Sequence, residues 1–544
     1  MCDRFSISQL LTWIVIAGGL LAGTEVCAQI STRTVFLSGD PAAGTSPGIV
    51  YQEFNNPVIN RHGELAFIAE VSGAGVTSLD NQGIWTDAGG SYHMVARRGD
   101  VAPGTEPGVE FRLFLGTPVL NSLGEIAFVT RLGGTGVNNF NSQSIWSDRN
   151  GHLELVVRGG QAAPGFGDGA TFISPGDPMF NDAGHIAFNG TTIGPGLDND
   201  NNRGLWSDAG GALELVARES DAAPGTSEVY DFISSRPNMN GSGVTYFYSL
   251  LSGAGYDFFQ NQSLWAHDTS GVHAVGLSGD PTGIDGVIHN TFGVIFGVND
   301  AGEIAFYSGL TGAGTDPTNN SGIFSGLPGE WDLVARKGQA APGTAPGIYF
   351  SDFGSAHLGG SGASSFWGFV SGPGVDTTND RGIWSDGTGE LRLVFREGDH
   401  APGTELGVRF LGAESDHVIN GAGQVGMIGY LTGEGVTESN FKGIWATQPN
   451  GLLSLIARSG DLFDVNRDPA IDDLRVIEEV GLFMGYNGIG GEDGHGTSFS
   501  DDGELVFRLE FTDGTSGIFV AAVPEPGTGA LLAVAFLLGL KTRP

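Results

Sequence analysis

The feature that most constrains this chain is an eight-residue phrase that returns along its whole length. "NRHGELAF" begins at Asn60, "NSLGEIAF" at Asn121, "NDAGHIAF" at Asn181 and "NDAGEIAF" at Asn299. Weaker copies hold the same frame: "NGSGVTYF" at Asn240, "GGSGASSF" at Gly359, "NGAGQVGM" at Asn420 and "SDDGELVF" at Ser500. A chain of 544 residues is too long for one ordinary core, whereas a repeat adds core unit by unit. A second column, "VARxGD", starts at Val35, Val95, Val156, Val216, Val275, Val334, Val394 and Ile456, giving eight units spaced by 60, 61, 60, 59, 59, 60 and 62 residues.

Each unit reads in one order. A strand such as "LELVVRGG" leads to a turn such as "APGT" and an irregular stretch. The Asn-Gly turn and its strand follow, then a glycine-rich loop and a short strand such as "SIWSD". The apolar segments are short, bounded by Gly, Pro, Asn or Asp, and rich in Val, Ile, Phe and Trp, which is the composition of strands. Only "DDLRVIEEVGLF", from Asp472, has a helical look. Units of about sixty residues with three or four strands suit propeller blades better than solenoid coils, whose repeats run to roughly 20 to 45 residues. The expected fold is therefore all-β, an eight-unit repeat forming an eight-bladed β-propeller. The alternatives are an open array or two smaller propellers.

The ends favour closure. The chain's first strand, "VFLSGD", has no preceding Trp strand, and its last, "GIFVA", has no following "VAR" strand, so the N-terminal strand completes the eighth blade and removes an exposed sheet edge. Within the phrase, Asn bonds its own backbone and Gly tolerates positive φ, so the two make the turn into a buried strand whose Ala and Phe pack between sheets. The pattern resembles bacterial proteins built from tandem NxxGxxAF repeats with interchangeable C-terminal anchors. The resemblance covers Val35 to about Val520 and implies no assigned activity.

Residues 1–28 read as an export leader: Arg4 is the positive start, "LLTWIVIAGGLLAG" the apolar run, and the cleavage falls between Ala28 and Gln29. Glu25 and Val26 ahead of Cys27 speak against a lipoprotein signal. Both cysteines, Cys2 and Cys27, lie in the leader, so the exported chain offers no disulfide, thiol nucleophile or thiolate metal site. The repeats span 29–522, and residues 523–544 form a second targeting element. There the uncharged run from Gly527 to Leu540, short of the roughly 20 residues of a spanning helix, ends in Lys541 and Arg543. Val523, Pro524, Glu525 and Pro526, followed by that apolar run and basic tail, resemble the PEP-CTERM sorting signal. The resemblance implies an exosortase-type processing enzyme as partner and contact with the membrane through this segment. With 61 acidic against 25 basic residues, the formal charge of -36 argues against nucleic acid.

Candidate chemistry is sparse. One aromatic per unit (Trp85, Trp146, Trp206, Trp265, Phe324, Trp384, Trp445 and Phe519) reads as core between blades, with sugar stacking as the alternative. A basic column of Arg97, Arg158, Arg218, Arg336, Arg396 and Arg458 either pairs with nearby carboxylates or lines a channel that takes an anion such as a carboxylated polysaccharide. Loops before the Trp strand carry oxygen donors at Asp198, Asp200 and Asn202, at Asp316 and Asn320, and at Asp376 and Asp380, the ligand type calcium requires; the same residues also make turns. The last unit's Asp464, Asn466 and Asp468 start like a calcium loop, but Pro469 and Arg475 stand where Gly and an acid are needed, so it reads as an insertion. His495 in "GHGTS" has no accompanying nucleophile or Asp box. The expected function is an exported, envelope- or matrix-associated interaction scaffold with extracellular polysaccharide as ligand class, catalytic residues none; the alternative is a propeller glycosidase or lyase.

Overall fold

A computed structural model describes residues 30–253, 261–468, 470–485 and 493–523. Their strands form eight antiparallel sheets. In blade I the order is Val50–Phe54 with its continuation Val58–Ile59, then Leu65–Ser72, Gln82–Thr86 and His93–Arg97. Blades II to VII repeat this four-step order. Blade VIII takes Leu474–Gly481, Glu504–Phe511 and Ser516–Ala522 from late in the chain and Ser31–Leu37 from its start. Ser31 faces Ala522 and Leu37 faces Gly517, so the N-terminal strand closes an eight-bladed propeller as expected. The "DDLRVIEEVGLF" segment is strand, not helix, over Leu474–Gly481: it pairs with Glu504–Phe511, and Ile477 and Val480 are buried in one cluster with Phe511 and Phe519.

The repeated phrase packs as its chemistry dictates. Phe67 stands opposite Trp85 in the strand register, with the two rings stacked at 6.0 Å. Phe188 with Trp206, Phe247 with Trp265, and Phe306 with Phe324 repeat the arrangement. All eight residues of the aromatic column are buried and belong to the core. Four indoles also hold the "APGT" turn: Trp85 donates to Ala43 O at 2.9 Å, and Trp206, Trp384 and Trp445 donate to Pro164, Pro342 and Pro402. The apolar clusters lie between neighbouring blades. One joins Val506, Ile518 and Val520 of blade VIII to Tyr51, Phe67 and Trp85 of blade I, so the closing seam is packed like the others.

The Asn-Gly turn does more than reverse the chain. Asn60 Oδ1 accepts from the His62 and Glu64 amides, and Gly63 adopts φ 83°, a conformation that favours glycine. Asn60 Nδ2 meanwhile donates across the blade boundary to Asn121 O at 2.8 Å. Asn121 does the same to Asn181 O, Asn181 to Asn240 O, and Asn420 to Ser500 O. Asparagine hooks thus link blades I to II, II to III, III to IV and VII to VIII. The turns and the hairpins between third and fourth strands share one face, here the turn face. The Asp/Asn loops between second and third strands lie on the opposite, loop face.

First strands face the axis. Arg61, just after the Asn60 hook of blade I, reaches across to Asp182 of blade III and, at 3.2 Å, to Asp300 of blade V. Residues 493–497 of the last unit cross the same hub. Met239 N donates to Asp493 O, Phe180 N to Gly494 O, and Ile59 N to Thr497 O, so this segment touches the inner strands of blades IV, III and I and plugs the centre. The insertion at 464–473 has its own structural task. Thr34 Oγ1 donates to Val465 O at 2.9 Å, and Arg467 donates to Val35 O and pairs with Asp40, clasping the closing strand.

Candidate functional site

The arginine column sits on the fourth strands, the edge away from the axis, and lines no channel. Arg97 Nε donates to Asp80 O at 2.7 Å, and Arg158, Arg218, Arg336, Arg396 and Arg458 donate to the carbonyls of Asn141, Asn201, Asn319, Asn379 and Asn440. Three of them also pair with carboxylates: Arg97 with Asp80, Arg158 with Glu106 and Arg458 with Glu405. Arg218 lies 4.5 Å over the Phe166 ring. The channel placement fails because strand alternation and blade order put this position on the outer edge, where the guanidinium ties down the loop before its own Trp strand.

Those loops are ordered by their own side chains. Asp316 Oδ1 accepts from Thr318 N and Oγ1, which holds its carboxyl below the usual range, while Asn319 Oδ1 accepts from Asp316 N. Asp376, Thr378 and Asn379 repeat this pattern, with the Asp376 carboxyl lowered by Thr378. Asp198 Oδ1 accepts from Asp200 N, and Asn201 Oδ1 from Asp198 N. Asn202, Asn320 and Asp380 contribute carbonyls to the Thr192, Leu310 and Val370 amides. Among the described residues no group of three His, Asp or Glu side chains is placed to hold a metal ion. In the insertion, Asp464 Oδ1 is taken by the Asn466 and Asp473 amides, a turn in place of a calcium loop.

The chemistry gathers instead at the hub. A recess of about 530 Å³ opens between blades III and IV, with Asp177, Asn189, Arg203, Phe232, Arg236 and His495 on its walls. The inner strand of blade III has a register break between Pro175 and Pro178 that places Asp177 there. The inner strand of blade IV is split into Val229–Ile233 and Asn238–Met239, and Arg236 stands in the gap. His495 arrives from the plug: its Nε2 lies 2.9 Å from Pro237 O, so this nitrogen carries the proton. Burial pushes the Asp177 carboxyl up, partly offset by His495 and Arg236. Asp416 of blade VII, also raised by burial, is likewise offset by Arg236. The Asn189 amide donates to Ser234 O while its Oδ1 is buried with no partner among the described residues. Asp493 beside the recess is fully buried, and burial raises its carboxyl too. The recess therefore gathers hydrogen-bond donors and acceptors beside the apolar side chains of Phe232 and Met179.

Sequence reasoning passed over every one of these groups except His495. Asp177, Arg236 and Asp416 share one position, four residues before the hook asparagine of their units, and Arg203 shares another with Arg381 and Lys442, but both positions change residue type from unit to unit and so form no visible column. The first three sit where the inner strand is broken, and the Pro residues at 175, 178 and 237 mark two of those breaks. Val523 is described and buried, whereas Ala28, Gln29, Pro524, Glu525 and Pro526 lie outside the described residues. Among the described residues no helix is long and apolar enough to cross a membrane.

Solved structures of similar shape are remote. Puromycin hydrolase aligns at TM-score 0.37 and 12% identity over 88% of this chain, which spans 62% of that enzyme's length. The β-propeller domain of the Trilobed protease from Pyrococcus furiosus aligns at 0.36 and 10%, over 76% of this chain and 99% of that one. An ulvan lyase of polysaccharide lyase family PL25 aligns at 0.31 and 10%, over 76% and 94%. The eight-sheet topology stands on its strand pairings. No curated protein matches the sequence. Residues 26–158 and 139–530 match a family described as a family of unknown function, DUF7453, and the chain belongs to that family.

Proposed function

We propose that this protein is an exported, envelope- or matrix-associated interaction module without catalytic activity, and that its axial recess receives a sugar unit of an extracellular polysaccharide. The observation that carries the reading is the recess itself. It brings a carboxyl, two guanidinium groups, an amide and an imidazole together with the apolar side chains of Phe232 and Met179, the mixture that hydroxyl-rich rings with one apolar face require. A screen of residues 29–523 against acidic and neutral polysaccharides tests it: saturable binding without products is expected. Sustained product formation after removal of trace contaminants would refute the non-catalytic reading. It would favour the second one, a glycosidase or lyase, for which the support is two axial carboxyls, Asp177 and Asp416, both raised by burial.

Delivery and sorting rest on the sequence at the two ends. The leader exports the chain, and the segment from Val523 presents it to an exosortase-type enzyme. In a host that carries such an enzyme, replacing Pro524, Glu525 and Pro526 by Ala leaves export intact and yields unprocessed, membrane-retained protein. An unchanged distribution between membrane, surface and medium would sink this part of the proposal.

A further inference from the structure

The closing seam fixes where both targeting segments leave the propeller. Ser31 pairs with Ala522 in neighbouring strands of blade VIII, so the two exits stand about one strand spacing, ~5 Å, apart. Ala522 in turn faces Glu504, which follows the Ser500 turn, and Val523 N donates to Gly503 O within that turn. Both exits are therefore on the turn face, at the rim of blade VIII. The opposite end of the same blade is the hairpin around Asp513, where Phe511 N bonds Thr515 O.

The length of the connection decides orientation. Between Val523 and Gly527, where the uncharged run begins, only Pro524, Glu525 and Pro526 intervene. Four peptide steps reach at most about 14 Å when fully extended. The strand Ser516–Ala522 alone is seven residues, or about 23 Å, long. The link is too short to carry the apolar run around blade VIII to its loop face. We infer that, while the segment from Gly527 is held in a bilayer, the propeller presents the turn-face rim of blade VIII to the membrane and its Asp/Asn loops away from it. This rests on the proposed membrane contact of residues 523–544 and adds a direction to it.

The exported chain has no cysteine of its own, so single labels report cleanly. Asp502, exposed on the turn face, and Thr512, exposed on the loop face of the same blade, are replaced one at a time, as Asp502→Cys and Thr512→Cys, in residues 29–544. Each variant is labelled with a fluorophore and reconstituted with phosphatidylethanolamine and phosphatidylglycerol vesicles that carry a headgroup quencher. The inference expects loss of fluorescence at position 502 and none at 512 in protein that floats with the vesicles. Equal quenching at both positions, or stronger quenching at 512, overturns the orientation. Protein that fails to float with the vesicles defeats the membrane contact itself, and the orientation with it. Matching melting temperatures of the two variants and the parent, measured in detergent, confirm that neither substitution disturbs blade VIII.

Discussion

Replacing Asn121 by Ala separates the two tasks of the repeated asparagine. Its Oδ1 accepts from Leu123 N at 3.1 Å and Glu125 N at 2.9 Å, which makes the turn; its Nδ2 donates to Glu125 Oε2 at 2.8 Å and to Asn181 O at 3.0 Å, which joins blade II to blade III. Asn240 is buried to the same degree, but its side chain only accepts, from Val244 N and Ser242 Oγ, and its amide reaches no carbonyl of blade V among the described residues. Four bonds are lost in one variant and two in the other. At about 1 kcal/mol net for each bond, Asn121→Ala costs about 4 kcal/mol and Asn240→Ala about 2 kcal/mol. Asn181 O keeps the Gly184 amide at 3.0 Å, so no orphaned carbonyl enlarges the difference. Urea unfolding of residues 29–523, with midpoints compared at equal slope, measures both losses. Equal destabilisation by the two substitutions would show that the hook between blades contributes nothing and that the asparagine serves the turn alone.

Removing the closing strand, in a chain that starts at Gly44, leaves Ser516–Ala522 as a bare edge and takes Val35 out of the blade VIII to blade I cluster; aggregation or loss of cooperative melting is expected, and melting as sharp and as high as the parent's would contradict ring closure. Burial lowers the His289 imidazole from 6.5 to about 4, so the folded state binds its proton less readily than the unfolded chain, and stability falls as pH drops below 6.5 toward 4. Between about pH 7 and about pH 5 this group removes about 2 kcal/mol, which His289→Gln should abolish in paired urea titrations. Buried carboxyls such as Asp87 and Asp386 have raised values and work in the opposite direction, their contribution being lost as pH rises, so the difference between parent and variant is the quantity to compare; an unchanged pH dependence would refute the assignment to His289. If the Asp198 and Asp200 loop takes calcium, the melting temperature rises more with calcium than with equal magnesium, and the increment disappears in Asp198→Ala/Asp200→Ala; equal responses to both ions mean that these carboxylates only build turns.

The blades were legible because their determinants recur. Phe and Trp stand in fixed columns and face each other across adjacent strands, and the two incomplete ends complement one another, so repeat number, strand type and closure all follow from the pattern. The arginine column is visible in the sequence and so is its pairing with nearby carboxylates, which Arg97, Arg158 and Arg458 make, but the loop carbonyl that all six share as partner is not. The constant 17-residue interval from Asp80, Asn141, Asn201, Asn319 and Asn379 to their arginines was a signal for a local tie, with 18 at Asn440 and Arg458. The hub was illegible for a different reason. Arg61 meets Asp182 and Asp300 across 121 and 239 residues, and the plug at 493–497 joins three distant blades through backbone groups, which leave no side-chain pattern. The "GHGTS" string, which stands alone in the sequence, is part of that plug.

The most direct test of the account is calorimetric titration of residues 29–523 with any polysaccharide that binds saturably, set beside Arg203→Ala and Asp177→Asn. Both side chains line the recess, and loss of a hydrogen bond to a charged group is worth about 1.5 kcal/mol or more, so affinity should fall about tenfold or further in each variant while the melting temperature stays close to the parent's. Unchanged affinity in both variants would place the binding surface elsewhere and contradict the axial recess as the functional site.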